Sequence, residues 1–136
     1  MNVLKFISYV PLLAIVLVLY FIMVSTGVDF NTPTPLFDLP LPSGAKWNLT
    51  SGDIIIMLGI ITLYIEIIKS VRTDTGTIIE HVLSVLVFIG FLILFLLLPE
   101  AGTSTFLVVT LMSLLDVIAG FTITIASAQR DFNMGS

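Results

Sequence analysis

The sequence predicts an all-α membrane protein, an antiparallel bundle of four transmembrane helices with a short extracytoplasmic β-hairpin between the first two. Three observations predict this fold class. Hydrophobic residues make up 57% of the 136 residues and charged residues only 10%, with a mean hydropathy of +1.17, whereas about a quarter of a soluble chain is charged. Four apolar runs approach the length needed to cross a bilayer core of about 30 Å as helices. Proline and turn residues fill the interval between the first two runs, so we expect one integral membrane domain over residues 1–136.

The charge and cysteine content exclude several classes of protein. Five Lys and Arg and nine Asp and Glu cannot provide the polar surface of a cytosolic enzyme, a nucleic-acid-binding protein or a disordered chain. With no Cys and one His, the chain has no disulfide, no thiolate nucleophile, no iron–sulfur cluster and no bis-histidine haem of its own. A net charge of −4 disfavours polybasic recognition of anionic lipids. We therefore expect no cofactor and no nucleic-acid partner.

The first apolar run covers residues 3–26, with Lys5 as its only charge. We expect Pro11 to bend this helix, because proline removes a backbone hydrogen bond and clashes with the preceding turn. The alternative is a cleaved signal peptide, since small residues follow the run. Its 18-residue apolar stretch, 7–24, is longer than the usual hydrophobic region of a signal peptide and contains Tyr20. We therefore expect the run to be retained as a helix.

Three further runs are predicted as helices over residues 53–69, 78–98 and 105–128. The second run is rich in isoleucine, which by itself favours a β-strand. It is too long for an ordinary strand, and four runs cannot close a transmembrane barrel. Helices then satisfy the backbone in lipid. Thr50 or Ser51 is the expected cap of the second helix, with Asp53 favourable in its first turn.

The positive charges predict the orientation, because Lys and Arg are concentrated on the cytoplasmic side of membrane proteins. The cationic residues that flank the runs on one side are Lys5, Lys69, Arg72 and Arg130. Lys46 is alone on the other side. We expect both termini and residues 70–77 to be cytoplasmic, and residues 27–52 and 99–104 to lie outside.

The segment between the first two helices is predicted to form a β-hairpin. Residues 37–41 and 46–50 alternate apolar with polar or proline residues, and residues 42–45 have turn chemistry. The apolar side chains expected on one face are Phe37, Leu39, Leu41, Trp47 and Leu49. A two-stranded ribbon alone is marginal in water, so this face must rest either on the helix ends or on the lipid interface, where Trp47 would be favourable.

Asp116 is the candidate site residue that the sequence indicates most strongly. It lies about eleven residues from either end of the fourth run, near the middle of the bilayer. Helical periodicity places it on a stripe of small and polar residues, Ser113, Asp116, Gly120, Thr124 and Ser127. Because an ionisable group is costly in lipid, this stripe should face protein or water. Asp116 either forms a structural hydrogen bond, to Thr62 or to a second copy, which is the commoner role, or serves as a proton or cation site.

A second group of ionisable residues is predicted at the cytoplasmic side. Glu66 and Lys69 are three residues apart on one helical face and close enough to pair. Glu80 and His81 begin the third helix at the same level. Together with Arg72 they form an expected charge cluster, either a salt-bridge network that fixes helix register or a proton relay. We expect no metal site, because a lone His without Cys supplies too few ligands.

Five short segments carry a resemblance to a known group: LPLPSG (39–44), SGD (51–53), EIIK (66–69), GTS (102–104) and LDV (115–117). Over residues 39–131 the chain resembles small four-span inner-membrane proteins of bacteria. The resemblance implies a bacterial inner membrane and nothing about mechanism. In size and span count the chain also resembles small multidrug transporters, but their essential Glu in the first span has no counterpart here. Microsomal glutathione-transferase-like proteins also have four spans, but their basic cytosolic motifs are absent.

These observations give two hypotheses for the function. The first is a non-enzymatic membrane accessory or scaffold protein that associates with itself or with other membrane proteins. The second is a small proton- or cation-coupled transporter or channel that uses Asp116 with Glu66 and Glu80. We do not expect an enzyme, because the sequence does not place a nucleophile, a base and an orienting group together.

Overall fold

The structure, a computed structural model, describes residues 3, 9–32, 35–71 and 76–134. Within these residues the elements are α1 (Leu12–Ser25), β1 (Phe37–Pro40), β2 (Lys46–Leu49), α2 (Ser51–Lys69), α3 (Gly76–Leu97), a 3₁₀ turn (Pro99–Ala101) and α4 (Ser104–Met134). The predicted combination of helices with one antiparallel hairpin is confirmed, and the isoleucine-rich run is helical. By length and composition, α2, α3 and α4 could each cross a membrane. α1 has 14 residues, or about 21 Å of helix at about 1.5 Å per residue.

The first apolar run is broken at Pro11. Val10 and Pro11 are not helical, and Pro11 has an extended backbone (φ −61°, ψ 136°) at the N-cap of α1. The sequence predicted one bent helix over residues 3–26, and this is wrong at Pro11. Proline lacks the N–H donor and its ring clashes with the turn before it, so α1 starts one residue after the proline. Residues 4–8, which include Lys5, lie outside the described part of the chain.

Capping residues fix where α2 and α4 begin. Thr50 Oγ1 accepts a hydrogen bond from Asp53 N–H at 3.2 Å, and Asp53 Oδ2 accepts one from Thr50 N–H at 3.1 Å. This capping box identifies Thr50, one of the two predicted candidates, as the cap. At the start of α4, Thr103 Oγ1 accepts from Phe106 N–H at 3.1 Å. The helix continues beyond its predicted end because residues 121–134 contain neither Gly nor Pro.

α4 is the central helix of the bundle. It packs extensively against α2 and α3 and is the most buried of the three long helices, whereas α1 packs mainly against α2. α2 and α4 run in the same direction. A Cβ at Gly52 would lie 2.6 Å from Thr105 Oγ1, and one at Gly59 would lie 2.6 Å from Met112 Sδ, so these glycines permit the close approach of the two helices. Glu66 is seven residues, or about two helical turns, after Gly59, so it lies on the same face of α2, the face that packs against α4.

An aromatic cluster fills the bundle at the end nearer the hairpin. Tyr20 stacks on Phe30 with ring centroids 4.4 Å apart and meets Phe106 edge-on at 5.0 Å. Phe91 contacts Phe106 at 5.4 Å. All four side chains are buried, and the stacked and edge-on geometries of the two Tyr20 pairs are favourable ones for aromatic rings. The cluster therefore joins α1, α3 and α4 at this end.

The hairpin has the predicted strands and the predicted face. Its register pairs Phe37 with Leu49 and Leu39 with Trp47. Alternate residues of a strand point to the same side, so these four apolar side chains share one face. The turn between the strands contains Gly44 with a φ of 89°, a left-handed conformation that glycine adopts without steric cost.

Candidate functional site

The polar residues inside the bundle gather at the end opposite the hairpin. We call this end, where residues 70–75 connect α2 to α3, the loop end, and the other the hairpin end. A cavity of about 10 Å³, which we call the polar recess, lies at the loop end. It is lined by Glu66, Ser70, Glu80, His81, Ser84, Asp116, Gly120 and Thr124. A cavity of this volume holds about one water molecule.

The lining residues occupy successive turns of three helices. On α4, Asp116, Gly120 and Thr124 are spaced one turn apart. Because α3 runs opposite to α4, Ser84 lies at the level of Asp116, with Glu66 of α2 nearby. Glu66 and Asp116 are each 4% exposed and Ser84 is buried, whereas Thr124 is exposed. The recess therefore opens toward the loop end and closes at Asp116.

Glu66 holds the start of α1. Its Oε1 accepts a hydrogen bond from Leu12 N–H at 2.7 Å and another from Lys69 Nζ at 3.4 Å. Leu12 is the first residue of α1, where backbone N–H groups have no partner within the helix and a negative charge is favourable. The predicted Glu66–Lys69 pair is confirmed. The bond to Leu12, 54 residues away in the chain, is a second partner that the sequence did not indicate.

Asp116 is linked to α3 through Ser84. Its carboxyl group lies close enough to the Ser84 hydroxyl for a hydrogen bond, and Ser84 Oγ also lies 3.0 Å from Glu80 O, to which it can donate. Thr62, which the sequence suggested as a partner, instead donates to Gly59 O of its own helix at 2.9 Å. Asp116 is 4% exposed and is covered by residues of its own chain.

His81 packs its ring onto α4. The imidazole meets Phe121 edge-on with centroids 4.0 Å apart, and a Cβ at Gly120 would lie 2.6 Å from His81 Nδ1. Gly120 is therefore what lets the ring lie against the backbone of α4. Among the described residues, His81 Nε2 is the one buried side-chain nitrogen or oxygen without a hydrogen-bond partner. Such atoms are rare in folded proteins.

The fold places residues that were predicted at two depths, and that only the transporter hypothesis grouped together, in one recess. The sequence placed Asp116 at mid-depth and the charge cluster near the cytoplasmic boundary. In the fold, Glu66, Glu80 and His81 line the same cavity as Asp116. The parallel packing of α2 and α4 sets this arrangement, and helical periodicity within one span cannot reveal it.

The predicted polar stripe of α4 faces the protein over part of its length. Ser113 and Gly120 are buried with Asp116, whereas Thr124 is exposed near the mouth of the recess. The side chain of Ser127 lies outside the described part of the structure. So does Arg72, the remaining member of the predicted charge cluster.

A hydrogen-bond chain at the hairpin end was missed by the sequence analysis. Tyr20 Oη donates to Glu100 O at 2.8 Å and lies 2.8 Å from Thr103 Oγ1. Thr103 Oγ1 already accepts from Phe106 N–H. The Thr103 hydroxyl can therefore donate its proton to Tyr20 Oη, so that the Phe106 amide and the two hydroxyl groups each have one acceptor. A Tyr inside an apolar run needs a partner for its hydroxyl, so Tyr20 was the signal that pointed to such a network.

Outside the helices, Asp29 stabilises the turn that follows α1. Its Oδ2 accepts from the Thr32 hydroxyl at 2.5 Å, and its Oδ1 accepts from Asn31 N–H at 2.9 Å. These bonds, that from Thr32 first, hold the pKa of Asp29 below its ordinary value, because they favour the charged carboxylate. The side chain is exposed, so its effect is confined to the turn.

The apolar face of the hairpin is not covered by the bundle. Phe37, Leu39, Leu41 and Trp47 are 38–52% exposed, and Leu49 is partly buried. The sequence left open whether the helix ends or the lipid interface covers this face. Among the described residues, the helix ends do not cover it.

Neither a metal centre nor a known relative identifies the recess. Within the described ranges, no three His, Asp or Glu side chains converge as a metal site requires. No protein-family model, curated protein or solved structure matches the chain. The function is therefore argued from the geometry alone.

Proposed function

We propose that the chain is a non-enzymatic integral membrane protein with an accessory or scaffold role, in which the polar recess holds the helices in register. In this proposal α1, with the residues before it, and α2, α3 and α4 cross a bacterial inner membrane, with both termini cytoplasmic. The observation that supports it is the enclosure of Asp116 and Glu66, each 4% exposed within a single chain. The adjoining cavity of about 10 Å³ has no room for a substrate larger than water.

The outer surface of the helices supports the membrane part of the proposal. α3 exposes a row of large aliphatic side chains that includes Leu86, Ile89, Ile93 and Leu96. Soluble monomers rarely expose contiguous apolar patches larger than a few hundred Å², whereas lipid chains cover such a surface at no cost. Within α2 and α4, the deep carboxyl groups of Glu66 and Asp116 turn inward and not toward this surface.

The enclosure of Asp116 also restricts how copies or partners would associate. Because Asp116 and Glu66 are enclosed within one chain, contacts with a second copy or with another membrane protein would use the exposed apolar surfaces of α2, α3 and α4. Self-association remains part of the proposal on this basis, with Asp116 acting inside each copy.

The scaffold role is tested by substituting Asp116 in the purified protein in detergent. We expect Asp116→Leu to lower the free energy of unfolding by about 1–3 kcal/mol, because it leaves buried polar groups without a partner, and to leave the oligomeric mass unchanged. Asp116→Asn keeps a hydrogen-bonding side chain of the same shape and should cost less. Leu115→Ala, at the exposed neighbouring position, is the control and should cost about 0.5 kcal/mol or less. An Asp116→Leu variant that melts like the parent protein would contradict the structural role.

A proton-coupled transporter or channel is the second candidate, and one observation favours it. His81 Nε2 has no partner among the described residues, and His81 lines a cavity of a size that holds about one water molecule. In addition, the Ser84 hydroxyl, which donates to Glu80 O at 3.0 Å, lines the recess together with the Asp116 carboxyl group.

Proton flux into liposomes separates the two candidates. Transport predicts that a pH gradient drives protons into vesicles containing the purified protein, reported by a trapped pH-sensitive dye. The flux should be lost in Asp116→Asn and retained in Thr62→Val, since the Thr62 hydroxyl bonds its own helix. Vesicles that contain the protein and stay proton-tight support the scaffold.

A further inference from the structure

We propose that the apolar face of the β-hairpin docks onto the surface of the same lipid bilayer that the helices cross, at the level of the headgroups. This inference rests on the membrane insertion in the proposed function and adds a second, non-helical membrane contact to it. The face consists of Phe37, Leu39, Leu41, Trp47 and Leu49.

Within the described ranges, no helix packs extensively against the hairpin. β1 and β2 pack against each other. Four of the five side chains on the apolar face are 38–52% exposed. Because an isolated two-stranded ribbon is at best marginally stable in water, a surface that covers its apolar face would stabilise this hairpin.

The position of the hairpin brings it to the membrane surface. Thr50 alone separates β2 from α2, and the capping box between Thr50 and Asp53 fixes the chain direction at this junction. The base of the hairpin therefore lies where α2 emerges from lipid. A four-residue strand is about 14 Å long, so the whole face stays within reach of the headgroup region.

The two faces of the hairpin match a lipid interface. The register places Asp38 opposite Asn48 and Pro40 opposite Lys46, so the polar side chains lie on the face opposite the apolar one. This polar face carries one acidic and one basic residue. Burial of apolar area, without attraction to anionic headgroups, should then drive the docking. Trp47 on the apolar face is the residue type enriched at membrane interfaces.

The size of the face favours lipid over a second protein chain. Four half-exposed side chains present on the order of 300 Å², whereas a stable protein interface buries about 1,200–2,000 Å². The lipid surface is held next to the face by the chain itself, so that docking has no separate association cost. A second copy would have to be recruited by a contact that is too small.

Trp47 is the only tryptophan of the chain, so its fluorescence reports on the hairpin alone. The full-length protein is reconstituted into nanodiscs, with a belt protein whose tryptophans have been replaced, at one copy per disc and with lipids brominated either near the headgroup or at the chain end. We expect blue-shifted emission, stronger quenching by the shallow bromines than by the deep ones, and weak quenching by aqueous acrylamide. The result should be the same in neutral and in anionic lipid.

Matched variants separate the two faces. Replacing both Phe37 and Leu39 with Ser should shift the Trp47 emission to the red and reduce quenching by shallow bromines at least twofold. Asp38→Ser, between them on the polar face, should leave both readouts unchanged.

Three results would overturn the inference in distinguishable ways. Full quenching of Trp47 by acrylamide, in protein that is inserted in the discs, would place the face in water. Protection of Trp47 that appears only with two or more copies per disc would assign the face to a second copy. Failure of the protein to co-float with lipid would overturn the membrane insertion of the proposed function as well.

Discussion

The hairpin end and the loop end of the bundle satisfy their buried polar groups in opposite ways. At the hairpin end, Phe106, Thr103 and Tyr20 form a chain in which each donor has an acceptor, set within an aromatic cluster. At the loop end, one oxygen of Glu66 takes two donors while His81 Nε2 has no partner among the described residues.

This comparison indicates that the hairpin end contributes more to stability, whereas the loop end keeps a polar atom that can still form a hydrogen bond. A closed network in an apolar surrounding stabilises the fold, whereas an unsatisfied buried group costs free energy. Substitutions at the hairpin end should therefore cost more than comparable ones at the loop end.

The largest effect is expected at Tyr20. Tyr20→Ala should lower the free energy of unfolding by about 3–5 kcal/mol, as for other large aromatic side chains removed from a core. Tyr20→Phe should lower the free energy of unfolding by about 1–3 kcal/mol, because the Glu100 carbonyl loses the Tyr20 donor and the Thr103 hydroxyl proton loses its acceptor. Denaturant titration in detergent measures both. Tyr64→Ala is the control, because Tyr64 is 67% exposed. An equal loss of unfolding free energy at the two tyrosines would show that the aromatic cluster does not stabilise this end of the bundle.

A smaller effect is expected at Glu66. Glu66→Ala removes the acceptor of Leu12 N–H and the partner of Lys69, and should cost about 1.5–3 kcal/mol, the range for hydrogen bonds to charged groups. The loss should be local to the start of α1. Hydrogen exchange should show faster exchange of the Leu12 amide, with that of Phe106 unchanged. Glu66→Gln keeps an acceptor oxygen and should restore most of the protection. Unchanged exchange at Leu12 in Glu66→Ala would show that the carboxylate does not hold α1.

A third effect compares two glycines in helices. A Cβ at Gly120 would lie 2.6 Å from His81 Nδ1, whereas a Cβ at Gly90 would meet nothing within 4 Å. Gly120→Ala should cost about 1–2 kcal/mol through overpacking, with displacement of the imidazole visible in the NMR signals of His81. Gly90→Ala should be neutral or stabilise by up to about 1 kcal/mol, the helix-propensity difference. Equal melting temperatures for the two variants would contradict the close packing of His81 on α4.

The smallest effect concerns Asp29 and pH. Its pKa is lowered in the folded state, so its contribution to stability is present above the unfolded-state pKa of about 3.9 and is lost as the pH falls through the folded value. The Asn31 amide, which donates to Asp29, should titrate by NMR with a midpoint below that of an unfolded peptide. Asp29→Ala should abolish this titration and leave the helices unchanged. A midpoint at or above the peptide value would show that the turn hydrogen bonds do not stabilise the charged Asp29 carboxylate.

Much of the fold could be predicted because it follows from local patterns. Hydrophobic length indicated α2, α3 and α4, alternation indicated the hairpin and its face, and the cap-forming residues Thr50 and Ser51 indicated the start of α2. Burial of Asp116 followed from the cost of placing a carboxyl group in lipid. Each of these inferences depends on residues within one element.

The remaining features depend on contacts between distant parts of the chain. The sequence indicated that Pro11 would disturb the first run, but not that Glu66 would bond the freed N–H of Leu12. Asp116 and residues of the charge cluster line the same recess because α2 and α4 approach each other closely at Gly52 and Gly59. Relative helix positions of this kind result from packing, which periodicity within a single helix does not determine.

The most direct test of the central claim, that Asp116 is enclosed within one chain that crosses the membrane, is cysteine labelling. The chain has no Cys, so Asp116→Cys, Thr124→Cys and Ser43→Cys each carry a unique thiol. In sealed vesicles, a membrane-impermeant maleimide should label Thr124→Cys from one side only and Ser43→Cys from the other side only. Asp116→Cys should resist both this reagent and lipid-soluble N-ethylmaleimide until the protein is unfolded. Labelling of Asp116→Cys in the folded protein as fast as Thr124→Cys, whose parent side chain is exposed, or labelling of Thr124→Cys and Ser43→Cys from the same side, would contradict the account.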